Sequence, residues 1–179
     1  AEPRKIGFAR DLVKESYDGY DAVVIGRKGH RRFRGLVLGS VANKLIERLR
    51  HVSLWVVGGN PAPDRILVGL DGSEGAMRAV DHLAFMMAGR RDCRFTFFHV
   101  QPKLHQFCAI DFDRADLEPL EAMVASGNER CIENFYGKVR HKLAEFHIGE
   151  DRIDIKTRSG MGSVGAMIYK ELTAGGYDT

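Results

Sequence analysis

Short runs of consecutive hydrophobic residues alternate along the chain with stretches in which hydrophobic residues recur every three or four positions. Continuous apolar runs are typical of strands buried on both faces in parallel sheets, and the wider spacing is typical of amphipathic helices. The runs predict five strands, which cover residues 22–25, 52–57, 65–71, 94–100 and 152–157. The spaced stretches predict five helices, which begin near Phe8 and then fall within residues 40–49, 72–89, 117–146 and 163–174.

Strands that alternate with helices indicate the α/β class with a doubly wound parallel sheet. Ser73 stands just before a helical stretch and is predicted to cap the N-terminus of that helix. The clearest linker is GGNPAPD at residues 58–64, because glycine and proline punctuate both helices and strands. The chain is therefore expected to divide at this linker into a shorter first part and a longer second part.

The two ends of the chain resemble each other in sequence. FARDLVKESYDGYDA near the N-terminus aligns with VGAMIYKELTAGGYDT at the C-terminus after one gap. Lys14-Glu15 then matches Lys170-Glu171, and Tyr20-Asp21 matches Tyr177-Asp178. Both copies fall at the step from a helix to the segment that precedes a strand, so we interpret them as equivalent parts of a tandem repeat.

This repeat predicts the domain organisation. Residues 1–57 are expected to be the C-terminal part of one domain, with its last two strands, and residues 58–64 the linker. Residues 65–179 are expected to be the N-terminal part of a second domain that lacks its last two strands. The parts of one complete domain would thus be present in permuted order. Because the sequence also lacks an initial methionine, we expect the gene to begin upstream.

The composition narrows the class of protein. The chain has 179 residues, of which 44% are hydrophobic, and a formal net charge of only +3, so it gives no general case for binding nucleic acid. No apolar run reaches the ~20 residues that a membrane helix needs, and no signal-peptide core is present at the N-terminus. Cys93, Cys108 and Cys131 form no CxxC pair, which favours a reducing cytoplasm.

The most specific pattern in the chain is Gly26-x2-Gly29-x9-Gly39-Ser40, which follows the first predicted strand and leads into a helix. Glycine lets the backbone approach an anion closely, and successive N–H groups in such a loop form an anion-binding concavity. A helix that begins at Ser40 adds free N–H groups and a positive dipole end. The pattern predicts a phosphate site, although tight turns and a helix cap would explain the glycines taken singly.

Two other phosphate-binding patterns do not match this loop. A Walker A loop requires a lysine directly before the serine, whereas residue 39 is glycine, and the chain has no GxGxxG. Five basic residues lie inside the loop at Arg27, Lys28, Arg31, Arg32 and Arg34. Arg27 and Lys28, which stand nearest the first glycines, are the better candidates to neutralise a triphosphate, and the others are expected to be solvated.

These residues resemble the universal stress protein family over nearly the whole chain. The glycine pattern is similar to the ATP-binding pattern of that family, and ILVGLDGS at residues 66–73 is similar to the first strand and turn of its domains. The resemblance implies a five-stranded parallel sheet of order 3-2-1-4-5, of the adenine-nucleotide alpha-hydrolase-like type. It also implies ATP as the ligand, with or without Mg²⁺ or Mn²⁺, and a role in stress response or regulation.

The resemblance also implies which residues contact the nucleotide. Those expected at the phosphates surround the glycine loop and are Gly26, Arg27, Lys28, Gly29, Gly39, Ser40 and Val41. Those expected at the adenosine lie at or just after the carboxyl ends of two predicted strands in the second part and are Leu70, Asp71, Ser73 and Val100. In open α/β sheets ligands bind at the carboxyl ends of strands, where the strand order switches. A helix N-cap turn is the alternative explanation for Asp71 and Ser73, and the two roles can hold at once.

The two groups of residues belong to different predicted domains, which leads to an expectation about assembly. A linker of seven residues spans at most about 25 Å, so closure of both parts into one site within a chain would be tight. Exchange of parts between two chains is easier. We therefore expect a homodimer with swapped half-domains, whose complete sites are shared.

Binding rather than catalysis is the expected chemistry, because no general base or activated nucleophile can be named, and at most slow ATP hydrolysis is expected. His30 and His51 are isolated in sequence, and His99, His105 and Cys108 lack a fourth zinc ligand. No catalytic residue and no metal site is therefore predicted.

Two other functions stay open. A nucleotide-free dimerisation scaffold would keep the glycines as turns and act through protein partners. An adenylyl-transfer enzyme of related fold is less favoured, because LDGSEGA at residues 70–76 is a poor match to a Ser-Gly-Gly-x-Asp-Ser loop.

Overall fold

The computed structural model describes residues 7–26, 39–57, 65–101, 114–160 and 163–177. The helices in this part of the chain are α1 (Phe8–Glu15), α2 (Ser40–Arg48), α3 (Glu74–Met87), α4 (Arg114–Glu145) and α5 (Val164–Ala174). The strands are β1 (Ala22–Gly26), β2 (Ser53–Val57), β3 (Arg65–Leu70), β4 (Arg94–Gln101) and β5 (Ile153–Ser159). A short 3-10 helix (Glu150–Arg152) precedes β5. The α/β class and all ten predicted elements are confirmed, with differences of a few residues at their ends.

The strands form parallel pairs in two sheets. β1 pairs with β2 in one sheet, and the other sheet has the order β3-β4-β5. These neighbours are the ones expected for strands 4-5 and 1-2-3 of the predicted sheet. Because the described strands are divided between two sheets rather than joined in one, the full order 3-2-1-4-5 remains a prediction.

The chain divides into two compact units, Ala1–Pro61 and Ala62–Thr179, here called the first unit and the second unit. The boundary falls inside the predicted linker at residues 58–64, which itself lies outside the described residues. The interpretation of the two units as parts of successive domains stays a prediction.

The core of the first unit lies between its helices and one face of its sheet. Leu45 of α2 is completely buried, and Ala9 of α1 and Leu49 are nearly so. Val23 and Ile25 of β1 pack against these residues. Because successive side chains of a strand point to opposite faces, α1 and α2 cover only one face of β1.

The other face of this small sheet is open within the first unit. Val24 is 65% exposed, and its ladder partner in β2 is the half-buried Trp55. The prediction that residues 22–25 are buried on both faces is therefore wrong for the described structure. The apolar run supplies a second hydrophobic face to the strand, but α1 and α2 lie on the other side.

The core of the second unit is larger and is built around β4. Phe95 and Phe97 are completely buried, together with Val80 of α3 and with Val139 and Leu143 of α4. Alternate residues of β4 point to the same face, so these phenylalanines meet both helices on one side of the sheet. On the other side, α5 approaches the strands at Gly69, where a Cβ would lie 3.5 Å from Ile168.

The matching ends of the chain make the same side-chain hydrogen bond. Tyr20 donates to Glu15 over 3.4 Å, and Tyr177 donates to Glu171 over 3.2 Å. In the second unit Lys156 joins the pair, and its Nζ donates to both partners over 3.0 Å. The bond is exposed in the first unit and partly buried in the second, so the residue types agree while the surroundings differ.

Replacement of Glu171 by glutamine is expected to destabilise the second unit by about 1 kcal/mol at neutral pH, because Lys156 loses a charged partner. The Lys156 ammonium holds the pKa of Glu171 below its ordinary value. A carboxyl with a lowered folded pKa stabilises the fold above the ordinary pKa, and this contribution is lost as the pH falls through the lowered value. Urea unfolding of both proteins from pH 7 downward should therefore show a difference that vanishes in acid.

Glu15→Gln is the matched control for this prediction. The Glu15 bond is exposed and long, so its loss should change the unfolding free energy by less than about 0.5 kcal/mol. An equal loss in the two variants would contradict the role given to Lys156.

Candidate functional site

The described residues include both ends of the predicted phosphate loop. Gly26 is the last residue of β1, and Gly39 immediately precedes α2, which begins at Ser40. All three are exposed, and Val41 is half-buried. The remaining three predicted phosphate contacts, Arg27, Lys28 and Gly29, lie outside the described residues.

No steric contact within the described residues requires glycine at either of these two positions. Gly39 has φ −62° and ψ 156°, a conformation that any residue adopts. A Cβ on Gly26 or Gly39 would meet no described atom within 4 Å. No side chain of the described residues caps the start of α2, so its first N–H groups have no side-chain partner within this part of the chain.

The turn after β3 holds Asp71 and Ser73. Gly72 between them has φ +78°, which favours glycine. The Ser73 N–H donates to Asp71 Oδ1 over 3.0 Å, and Ser73 Oγ accepts from the Ala76 N–H over 3.1 Å. The N-cap predicted for Ser73 is thus confirmed. Hydrogen bonds from Ser73, first through its hydroxyl and then through its N–H, hold the pKa of the exposed Asp71 below its ordinary value.

Ser73→Ala is expected to raise the pKa of Asp71 towards its ordinary value and to cost about 1 kcal/mol of stability through the lost cap. NMR titration of the Asp71 carboxyl measures the first effect, and urea unfolding the second. Ser163→Ala is the control, because Ser163 caps α5 by the same bond to the Ala166 N–H at 3.2 Å. Ser163→Ala should cost similar stability and leave the pKa of Asp71 unchanged. If the pKa of Asp71 is also unchanged in Ser73→Ala, hydrogen bonds from Ser73 do not lower it.

β4 extends past the carboxyl end of β3. Leu70, the last residue of β3, pairs with His99, whereas Val100 and Gln101 pair only with β5. The end of β3 and the longer β4 therefore form a step at the carboxyl edge of the sheet. Val100 is 7% exposed and Leu70 5%, so their side chains offer little surface to a ligand, in contrast to the exposed Asp71.

His99 connects the end of β3 to α4, which the sequence did not indicate. Its Nδ1 donates to the Leu70 carbonyl over 2.9 Å, and its Nε2 accepts from the Asn128 side-chain amide over 3.0 Å. Twenty-nine positions separate His99 from each partner. A clue was available, because a polar residue in an apolar strand is expected to be paired when buried, but the sequence does not name the partners.

His51, which is isolated in sequence, has two side-chain neighbours in the structure. Its Nε2 lies 3.0 Å from Ser16 Oγ, and its ring stacks on that of Tyr17 at 3.8 Å and 12°. The Ser16 hydroxyl donates to the Val13 carbonyl over 2.7 Å, so His51 donates to the serine oxygen rather than accepting its proton. The pair therefore joins the end of α1 to the start of β2 and is not a nucleophile–base pair.

A cleft of about 530 Å³ opens in the second unit. Its walls come from α4, from the last residue of β4 and from the middle of β5, through Gln101, Asn128, Glu129, Ile132, Glu133, Tyr136, Arg140, Ile155 and Thr157. Burial raises the pKa of Tyr136, and its hydroxyl is buried without a hydrogen-bond partner among the described residues. None of the residues predicted to bind ATP lines this cleft.

The two predicted groups of contacts lie in different units, the phosphate group in the first and the adenosine group in the second. In the described ranges, no three His, Cys, Asp or Glu side chains are placed to hold a metal ion; His105 and Cys108 lie outside those ranges. The helices of the described part include none with the length and hydropathy of a membrane span.

Parallel strands alternating with helices, with exposed glycines at the end of β1 and directly before α2, define an α/β protein. The model of the universal stress protein family matches residues 13–58 and 63–179, and the chain belongs to that family. A comparison with curated proteins gives no match.

Two solved structures show how far the similarity extends. A protein from the universal stress protein family from Burkholderia pseudomallei is 16% identical, with a TM-score of 0.48 over 66% of this chain and 80% of that one. A universal stress protein in complex with cAMP is 20% identical, with a TM-score of 0.36 over 56% of this chain. The present chain spans 63% of the cAMP-bound protein, which is less than two thirds of its length.

Proposed function

We propose that this chain is an ATP-binding universal stress protein that acts in stress response or its regulation. The observation that carries the proposal is the pair of glycines at the end of β1 and directly before α2, because a Cβ on Gly26 or Gly39 would meet no described atom within 4 Å. A glycine that the fold does not require is well explained by a ligand that approaches the backbone closely. The first N–H groups of α2, which no described side chain caps, and the dipole of that helix favour an anion at its start.

The proposed contacts divide the nucleotide into two halves. Gly26, Gly29, Gly39, Ser40 and Val41 would surround the phosphates, and Arg27 and Lys28 would neutralise their charge. Asp71 keeps an exposed carboxylate, one oxygen of which is taken by Ser73, so the other can accept from a ribose hydroxyl. Leu70, Ser73 and Val100 would form the part of the sheet's carboxyl edge that contacts the adenosine. Mg²⁺ or Mn²⁺ would accompany the triphosphate and offset part of its charge.

We further propose that complete sites arise in a homodimer with swapped parts, because the two halves of the site lie in different units. Among the described strands, β1 has β2 as its one neighbour and β3 has β4, so each sheet offers an unpaired edge. The Tyr–Glu hydrogen bonds shared by the two ends support the tandem interpretation. Light scattering with size exclusion measures the mass in solution, and a monomer that binds ATP would exclude a shared site.

Binding is proposed to be the main chemistry, with at most slow hydrolysis, because the described residues supply no nucleophile with a base. A reducing cytoplasm is proposed as the location. Among the described residues, Cys93 and Cys131 form no disulfide bond, as that compartment allows.

A nucleotide-free scaffold is the second candidate function. Val24 and Val57 are 65% and 41% exposed. Val24 is the ladder partner of Trp55, and Trp55 and Val57 are two residues apart in β2, so all three side chains lie on the same face of the first unit's sheet. An apolar sheet face of this kind is typical of a surface that packs against another protein. Under this proposal the glycines are turns, and nucleotides leave the stability unchanged.

Calorimetric unfolding with ATP separates the two candidates. ATP at 100 times its Kd is expected to stabilise the chain by about 2.7 kcal/mol. ADP and cAMP test the contribution of the terminal phosphates, and each titration is repeated with Mg²⁺ and with a chelator. Stability that is the same with and without ATP would reject the ATP proposal in favour of the scaffold.

A further inference from the structure

His99 occupies an unusual place in the second unit. It belongs to the last ladder pair between β3 and β4, opposite Leu70, and both residues are at least 95% buried. Asp71 follows Leu70 directly, and Val100 follows His99. The hydrogen bond between His99 and Leu70 therefore joins the two residues that precede proposed nucleoside contacts.

The hydrogen-bond partners define the state of the imidazole ring. The Leu70 carbonyl oxygen can only accept, so His99 Nδ1 must carry a hydrogen. The Asn128 side-chain nitrogen donates, so Nε2 must be unprotonated. The ring is thus held as the neutral Nδ1–H tautomer. Asn128 of α4 selects that tautomer through its hydrogen bond to Nε2, the nitrogen that does not contact Leu70.

We propose that His99 is a positioning residue for the nucleotide site, which fixes the β3 carboxyl end against β4, with Asn128 setting its tautomer. This inference rests on the proposed ATP function, because His99 can position a nucleotide site only if ATP binds at these two strand ends. Main-chain ladder bonds between β3 and β4 end at this pair. The side-chain bond adds a contact to the Leu70 carbonyl at the point where the chain turns towards Asp71.

A pair of variants distinguishes positioning from packing. His99→Leu removes both hydrogen bonds, whereas His99→Gln keeps one donor for Leu70 and one acceptor for Asn128. His99→Leu is expected to weaken ATP binding at least about fivefold, the equivalent of one lost hydrogen bond. His99→Gln should stay within about twofold of the wild type. His141→Leu, the same change at an exposed site on α4, should have no effect on ATP binding.

NMR provides readouts that do not depend on ATP. The wild-type ring should show a protonated Nδ1 and an unprotonated Nε2. His99→Leu should shift the backbone amide signals of Asp71, Ser73 and Val100, and His99→Gln should largely restore them. If the wild-type chain binds no ATP, the proposed function fails, and these signals still decide the role of His99.

Three results would overturn the inference: an Nε2–H tautomer in the wild type, unmoved amide signals in His99→Leu, or equal ATP affinity of that variant and the wild type. If His99→Leu does not fold, Asn128→Leu replaces it, because that change removes only the bond to Nε2. It is then expected to shift the ring-nitrogen signals of His99 and the same three amides. Unchanged signals in a folded Asn128→Leu would equally overturn the inference.

Discussion

Gly39→Leu is expected to abolish the stabilisation by ATP, which amounts to about 2.7 kcal/mol at 100 times the wild-type Kd. The backbone of Gly39 suits any residue, and a Cβ there meets no described atom, so the variant should fold. A leucine side chain would occupy the space beside the first N–H groups of α2, where the phosphates are proposed to lie. Calorimetry with and without ATP measures the loss, and Ser40→Ala should give a smaller one because it removes only a hydroxyl.

Gly89→Leu is the matched control for Gly39→Leu. Gly89 follows α3 in the second unit, and a Cβ there also meets no described atom. The same increase in side-chain volume should leave the ATP effect intact. If Gly39→Leu responds to ATP as strongly as Gly89→Leu does, the phosphates do not lie at the start of α2 and the ATP site must be sought elsewhere.

Phe97→Ala is expected to cost the second unit about 3–5 kcal/mol, because it removes a large, fully buried side chain and leaves a cavity. Phe97 packs in a core whose residues all belong to the second unit, and the core around Leu45 belongs wholly to the first. Hydrogen exchange followed by mass spectrometry should therefore show lost protection in β3, β4 and β5 and unchanged protection in α1 and α2.

Leu45→Ala is the reciprocal variant, expected to cost the first unit about 2–5 kcal/mol. Its lost protection should be confined to the first unit. If either variant lowers protection equally in both units, the two cores unfold together, and the expectation that each unit unfolds separately is wrong.

The elements could be predicted because their signals are local. The apolar run of β4 and the spacing of hydrophobic residues in α4 depend only on neighbouring positions, and so does the cap at Ser73. The ends of strands are less local. β5 continues to Ser159 because Arg158 and Ser159 pair with the overhanging end of β4, and polar residues give no sign of such pairing in advance.

The surroundings of the site could not be predicted in the same way. The bond from His99 to Leu70 and the stack of His51 on Tyr17 join residues far apart in the chain, and a single sequence does not specify such partners. The predicted burial of Val24 was wrong for another reason. An apolar run shows that a strand has two hydrophobic faces, but it does not show that both faces are covered. The glycine spacing still predicts the phosphate loop, although its middle lies outside the described residues.

Trp55 gives the molecule a built-in optical reporter. It is the single tryptophan of the sequence and belongs to β2, in the unit that carries the glycine loop. Intrinsic tryptophan fluorescence should therefore report unfolding of the first unit directly. Circular dichroism sums over the helices of both units, so comparison of the two melting curves would show which unit Phe97→Ala destabilises.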